Sequence, residues 1–195
     1  EKAKSQLEAI AAVEKSKIEN DGTLTSEERK AQLQKLQDEV TKQKGLIDAA
    51  NTAETLATTK EAADAAVKAV HQAGDLEAAK TAAKAALEDA ATAEKEAIKA
   101  DNSLTDTEKQ TKAAEVDKVK AAEQAKVDAA KTIEVVEVAK ETGETAIAEV
   151  HTPGNLDVAK AKAKSQLEAI AAEEKSKIEN DGTLSSEERK AQLKS

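Results

Sequence analysis

The chain repeats itself with a fixed period of about 80 residues, and such a period indicates one structural unit stacked along an axis. Leu7, Leu87 and Leu167 are equivalent, and residues 1–35 match residues 161–195 at 30 of 35 positions. The middle copy is more diverged, yet it keeps the register without any insertion or deletion. The fold is therefore constrained to what one such unit can build and repeat.

The composition favours helices around a thin core. The chain has no aromatic residue, no cysteine and no methionine, and charged residues make up 35% of it. Its hydrophobic fraction is 39%, most of which is alanine, and alanine, glutamate, lysine and leucine all favour helix. A thick core is hard to fill without aromatic side chains, whereas a narrow seam between helices is not. Disorder is the alternative for so charged a chain, but the helical periodicity argues against it.

Capping signals divide each unit into three helices, which we call A, B and C. Helix A is predicted at about 76–100 in the middle copy, with Asp75 and Asn155 as N-caps that each follow a glycine. It ends in a turn of Asn, Asp and Gly residues, which tolerate turn geometry. Helix C is predicted at about 53–73 and 133–152.

Helix B opens with a capping box in all three copies, a hydroxyl residue followed three positions later by glutamate. The pairs are Thr25 with Glu28, Thr105 with Glu108, and Ser185 with Glu188. Leucine, isoleucine and valine recur in the helices at spacings of mostly three and four, which gives each helix one narrow apolar stripe. The predicted fold is therefore all-α: tandem three-helix bundles of about 80 residues each that form an elongated, spectrin-like rod. At 1.5 Å per helical residue, each repeat should add about 40 Å to a rod of roughly 90–120 Å.

By its repeats, the chain divides into three parts. Residues 1–75 form a first repeat that is truncated at its N-terminus, residues 76–155 form a complete second repeat, and residues 156–195 form a partial third. No signal peptide precedes them, so we expect the chain to be an excerpt from a longer array.

The sequence leaves open which helices share a bundle. A rod of three-helix units needs two hairpins and one collinear junction per repeat. The B–C junctions near 48–54 and 128–134 contain neither glycine nor proline, so we favour helix B running almost straight into helix C, with a complete central bundle at 51–130. The alternative is one A–B–C bundle per repeat, joined through Gly74 and Gly154.

Two further glycines depart from the repeat pattern. Gly45 aligns with Ala125, and Gly143 aligns with Ala63. Both lie inside predicted helices and are read as plain substitutions, each costing about 1 kcal/mol relative to alanine.

The repeat unit resembles the DUF1542 repeat family. The matching features are the alanine-rich first helix, the turn and capping box EAIKADNSLTDTEK with its variant EKSKIENDGTLTSEER, and the segment AKVDAAKT at the end of helix B. That family occurs in tandem arrays in large wall-anchored proteins of Gram-positive bacteria. The resemblance implies an extracellular, cell-wall-anchored location, a stalk-like role and an association with adhesins and biofilm. It implies no catalytic residues.

The sequence offers little chemistry. We predict no catalytic, cofactor-binding or metal-binding residues and no cofactor. The only histidines, His71 and His151, recur once per repeat near the end of helix C, where a cation favours the helix dipole, so we interpret them as structural. The acidic turns lack the EF-hand pattern of oxygen ligands, and no phosphate-binding or zinc-protease motif occurs.

Charge limits the partners. A net charge of −9 with interspersed acids and bases disfavours nucleic acid, and no apolar run approaches the roughly 18 residues of a membrane span. The expected partners are neighbouring repeats of the same chain, with host proteins or like arrays as weaker candidates.

Three functions remain open, and none is enzymatic. The leading hypothesis is a structural spacer that projects a distal adhesive domain, since repetition without sites provides length. The second is a binding module for a host plasma or matrix protein, which the absence of aromatic hot spots weakens. The third is self-association of arrays in biofilm.

Overall fold

A computed structural model describes residues 1–194, and this part of the chain is helical without any strand. The helices are α1 (Lys2–Glu19), α2 (Ser26–Ala49), α3 (Ala53–Lys68), α4 (Leu76–Ala100), α5 (Asp106–Ala129), α6 (Ile133–Ala148), α7 (Leu156–Asn180) and α8 (Ser186–Lys194). They are helices A, B and C of the first two repeats and helices A and B of the third. The predicted all-α repeat architecture is confirmed.

The helices pack in threes that follow the order of the chain. Helices α1, α2 and α3 pack against one another, as do α4, α5 and α6, while α7 packs against α8. Within residues 1–194, no helix of one bundle packs alongside a helix of the next. The bundles are therefore separate cores placed in series along the chain.

The favoured central bundle at 51–130 is wrong, because helix B reverses into helix C instead of continuing straight. Ala50 is extended, with ψ of 126°, and α2 then packs beside α3. Thr52 starts α3 by accepting a hydrogen bond from the N–H of Thr55, whose hydroxyl accepts from the Thr52 N–H in return. A threonine cap after extended alanine thus suffices for the reversal, and no described residue needs a positive φ.

The predicted caps are otherwise confirmed. Asp75 and Asn155 accept the N–H groups of Ala78 and Val158, which fixes the first turns of α4 and α7. The capping box is complete between Thr105 and Glu108 and also between Ser185 and Glu188. In the first repeat only one of its two hydrogen bonds forms, in which the Thr25 hydroxyl accepts from the Glu28 N–H.

Each bundle has a narrow core of aliphatic side chains and alanine. Leu7 and Leu87 are fully buried in the first and second cores. Their equivalent Leu167 is 68% exposed, because α7 and α8 have no third helix over them in this chain. Burying one leucine stabilises a fold by roughly 1.5–3 kcal/mol, so the third helix is what closes the seam.

Gly143 is more than a plain substitution, which corrects the sequence interpretation. A Cβ on Gly143 would lie 2.7 Å from Leu87 Cδ2 and 3.0 Å from Glu123 Cβ. Helix α6 therefore approaches α4 and α5 closely at this point. Gly45, by contrast, has no atom within 4 Å of the place a Cβ would take.

The two glycines should respond oppositely to alanine. Gly45→Ala should stabilise its bundle by about 1 kcal/mol, because helix propensity improves and nothing clashes. Gly143→Ala should destabilise by roughly 1–3 kcal/mol, because the added methyl overpacks the core. Urea unfolding followed by far-ultraviolet circular dichroism compares them. Stabilisation by both substitutions would contradict the close approach of α6.

Candidate interface between successive repeats

The turn between helices A and B is held by one aspartate. In the first repeat, Asp21 Oδ1 accepts hydrogen bonds from the Thr23 N–H at 2.9 Å and from the Thr23 hydroxyl at 2.6 Å. Asp101 and Asp181 make the same pair of bonds with the hydroxyl residue two positions later. The turn therefore has the same shape in all three repeats, and glycine is not what shapes it.

The second oxygen of this aspartate holds the histidine that follows helix C. His71 Nε2 lies 2.8 Å from Asp21 Oδ2, and His151 Nε2 lies 2.8 Å from Asp101 Oδ2. Helix C ends earlier than predicted, at Lys68 and Ala148, so the histidines lie beyond it. The predicted helix-dipole position is wrong, because each histidine is placed by a carboxylate from the A–B turn.

A glycine after the histidine completes the contact. The Gly74 N–H donates to Thr23 Oγ at 2.8 Å, and the Gly154 N–H donates to Ser103 Oγ at 2.7 Å. A Cβ on Gly74 would lie 1.9 Å from the Thr23 carbonyl oxygen. Only glycine lets the backbone approach the turn so closely. Helices A, B and C are thus fastened together at one end of each bundle.

These hydrogen bonds lower the pKa of the aspartates. The bonds from Ser103 and His151 lower the pKa of Asp101 from 3.8 to about 2. Burial raises the pKa of Asp21, but the bonds from Thr23 and His71 outweigh it and leave the pKa lowered. The ionised carboxylate is therefore the form that the folded turn prefers.

The same turn makes the contact between the first and second bundles. The Ile133 N–H, at the start of α6, donates to the Gly22 carbonyl oxygen at 2.8 Å. Arg29 Nη1 lies 3.3 Å from Glu134 Oε1, while Arg29 Nη2 donates to the Asp21 carbonyl at 3.1 Å. One of the unpaired N–H groups at a helix start is thus satisfied by the preceding repeat.

Close packing accompanies these polar contacts. A Cβ on Gly22 would lie 2.7 Å from Thr132 Cγ2, so the residue at this position must be small. Thr25, the N-cap of α2, and Glu28 in its first turn line a cleft together with Ile133 and Val136 of α6. The end of one bundle therefore rests on the start of the next through a turn, not along a helix.

The contact between the turn aspartate and the histidine could have been predicted from the repetition of the sequence. Asp21 and His71 both recur one full repeat later, as Asp101 and His151, and residues that recur together are candidates for a mutual contact. The contact between the first and second bundles, which we call the joint, is harder to predict from the sequence, because Arg29 and Glu134 lie 105 positions apart in different repeats.

Other kinds of site find no counterpart in residues 1–194. No group of three or more histidine, aspartate or glutamate side chains there could hold a metal ion. No helix in the same range combines the length and apolar character that crossing a bilayer requires.

Acid should weaken the second bundle through Asp101. Because its folded pKa is lowered, its contribution is fully present above pH 3.8 and is lost as the pH falls towards about 2. Asp101→Asn should be less stable near neutral pH and should lose less stability over this acidic range. Urea unfolding at a series of pH values measures both effects. Asp89→Asn, exposed on α4, is the control. Parallel pH profiles for wild type and Asp101→Asn would contradict a stabilising role of the ionised Asp101 carboxylate.

Comparison with known proteins gives one family. The family model described as Domain of Unknown Function (DUF1542) matches residues 1–74 and 79–155, and each match spans one set of A, B and C helices. No curated protein and no solved structure matches the chain. With two consecutive copies of the domain covering most of its length, the chain belongs to the DUF1542 family.

Proposed function

We propose that this chain is a spacer segment of a surface protein that is anchored to the cell wall of a Gram-positive bacterium. Its role is to hold a distal adhesive domain away from the cell. It has no catalytic role, and its routine partners are the neighbouring repeats. The location and the tip domain rest on the family resemblance.

One observation carries the spacer role. The first bundle meets the second through the A–B turn, at Gly22 and Arg29, and the start of helix C, at Ile133 and Glu134, and within residues 1–194 no helix of one bundle packs along a helix of the other. Side-by-side packing would thicken an assembly as repeats are added, whereas contact at bundle ends lengthens it. A helix of 25 residues such as α4 is about 37 Å long, so each repeat adds about 40 Å.

The surface supports the same proposal. Acidic and basic side chains pair across helix boundaries in both bundles, for example Lys4 with Asp48 and the equivalent Lys84 with Asp128, at 2.9 and 2.8 Å. Exposed pairs of this kind contribute little stability, but they keep a long array soluble. Repetition of the same pair indicates that each unit presents a similar outer face.

Deletion of residues 76–155 tests the proposal. The cut joins Asp75 to Leu156, so an N-cap still precedes a helix A that starts with leucine. Small-angle scattering should show a maximum dimension about 40 Å shorter, and a duplication of the same residues should lengthen the chain by as much. An unchanged maximum dimension with a thicker cross-section would refute a spacer. Loss of specific binding to a host protein on deletion would favour a binding module.

A further inference from the structure

We propose that the outer face of α6 docks into the groove between α1 and α2 of a second copy of this chain, so that neighbouring arrays associate side by side. The proposal goes beyond the spacer role, because it concerns contacts between molecules. It rests on one apolar, acidic helix face and one apolar groove with a basic rim, both carried by the same chain.

The outer face of α6 carries apolar side chains that its own bundle does not bury. Val135 is 50% exposed and Val138 is 62% exposed, and no other leucine, isoleucine or valine within residues 76–148 is exposed. A spacing of three, four and three places these valines in one row with two exposed threonines, on the side of the helix opposite the core. We call this row the outer stripe: Val135, Val138, Thr142 and Thr145. It belongs to the second repeat, which has repeat residues on both sides of it.

Acidic residues without a basic partner border the outer stripe. Glu137 and Glu141 are exposed on one flank of it, and no lysine or arginine in residues 1–194 lies within ion-pair distance of either carboxylate. The equivalents of the two valines and of Glu137 in the first repeat are Thr55, Thr58 and Ala57. An apolar and acidic outer face is therefore particular to this copy of helix C, and the fold of the repeat does not require it.

The groove between α1 and α2, which we call the A–B groove, has an apolar floor. Ala11, Leu33 and Val40 pack against the first core, yet all three remain partly exposed and line one cleft. An apolar helix face that lies in such a groove removes the surfaces of both partners from water, which stabilises the contact. The floor therefore suits the valines of the outer stripe.

The rim of the A–B groove is mainly basic. The charged residues that line it are Glu8, Lys15, Lys30 and Lys44. Glu8 pairs with Lys44, whereas Lys15 and Lys30 lie 3.8 and 3.6 Å from exposed glutamates of their own helices. Exposed pairs within one helix contribute little. Two lysines can therefore pair with the carboxylates that border the outer stripe.

In the second repeat, ion pairs between helices close the equivalent groove. Lys120 replaces Val40, and its Nζ lies 2.8 Å from Glu88 Oε2 of α4. Lys95 Nζ of α4 also lies 2.6 Å from Asp117 Oδ1 of α5. These side chains cover the seam between the two helices with charge. The groove of the first repeat is therefore the one that can receive an apolar stripe.

A second copy is the occupant that the charges favour. The groove has an excess of positive charge, and the outer stripe supplies apolar side chains next to carboxylates that lack a partner. The two surfaces of one chain do not meet, because within residues 1–194 no helix of the first bundle packs along a helix of the second. A single helix face in a shallow groove buries little area, so the association should be weak, and its charge pairs make it sensitive to salt.

Substitutions that copy one repeat into the other test the contact with little risk to the fold, because each new residue already occupies the equivalent place in the other bundle. The stripe variant is Val135→Thr with Val138→Thr. The groove variant is Val40→Lys, in which the new lysine should pair with Glu8 as Lys120 pairs with Glu88. The control is Leu46→Lys, which replaces an exposed apolar residue of α2 outside the groove by the lysine of the second repeat. Urea unfolding followed by circular dichroism establishes that each variant is folded.

Sedimentation equilibrium at chain concentrations up to about 1 mM measures the association. The average mass of the wild type and of the Leu46→Lys control should rise above that of one chain, and added salt should reduce the rise. The stripe variant and the groove variant should each associate roughly tenfold more weakly or not at all. An equal mixture of the two should associate more strongly than either alone, because each supplies the surface that the other lacks.

Three results would overturn the proposal: a wild type that stays monomeric throughout, a stripe or groove variant that associates like the wild type, or a mixture that associates no better than its components. Small-angle scattering of the dilute stripe variant measures the length of one chain separately. A long chain that does not associate leaves the spacer role standing without the lateral contact. A compact chain that does associate refutes the spacer role alone.

Discussion

The aspartate of the A–B turn organises each repeat, because its two oxygens bind two different parts of the chain. One oxygen of Asp21 holds the turn through Thr23, and the other holds His71 beyond helix C. Without this clamp, three alanine-rich helices would depend on their seams alone, and those seams bury few large side chains. The clamp closes one end of the bundle and fixes the turn that faces the next repeat.

The joint between repeats follows from that clamp. With the turn fixed, the Gly22 carbonyl points at the first N–H of α6, and Arg29 spans the turn to reach Glu134. The contact involves a few residues at bundle ends and leaves the helix faces to their own cores. An array built this way gains length with each unit, and the residue at the joint varies, with Gly22 and Gly182 in the first and third repeats and Asn102 in the second.

Local signals in the sequence are sufficient for the helices but not for their assembly. Caps such as Asp75 and Thr105 act within one turn of helix, so their effect can be predicted directly. The B–C reversal escapes prediction because extended Ala50 and a threonine cap turn the chain without glycine. The role of Gly143 is equally hidden, since a close approach to Leu87 leaves no mark in the local sequence.

The central claim is that successive bundles meet end to end. Spin labels on cysteines at Lys30 and Gln110, equivalent exposed positions in the first two repeats, measure this by double electron–electron resonance. Bundles that meet end to end should give one narrow distance distribution at about 40 Å, the rise of one repeat. A distance of about 20 Å or less would mean that the bundles lie side by side, and it would contradict the account.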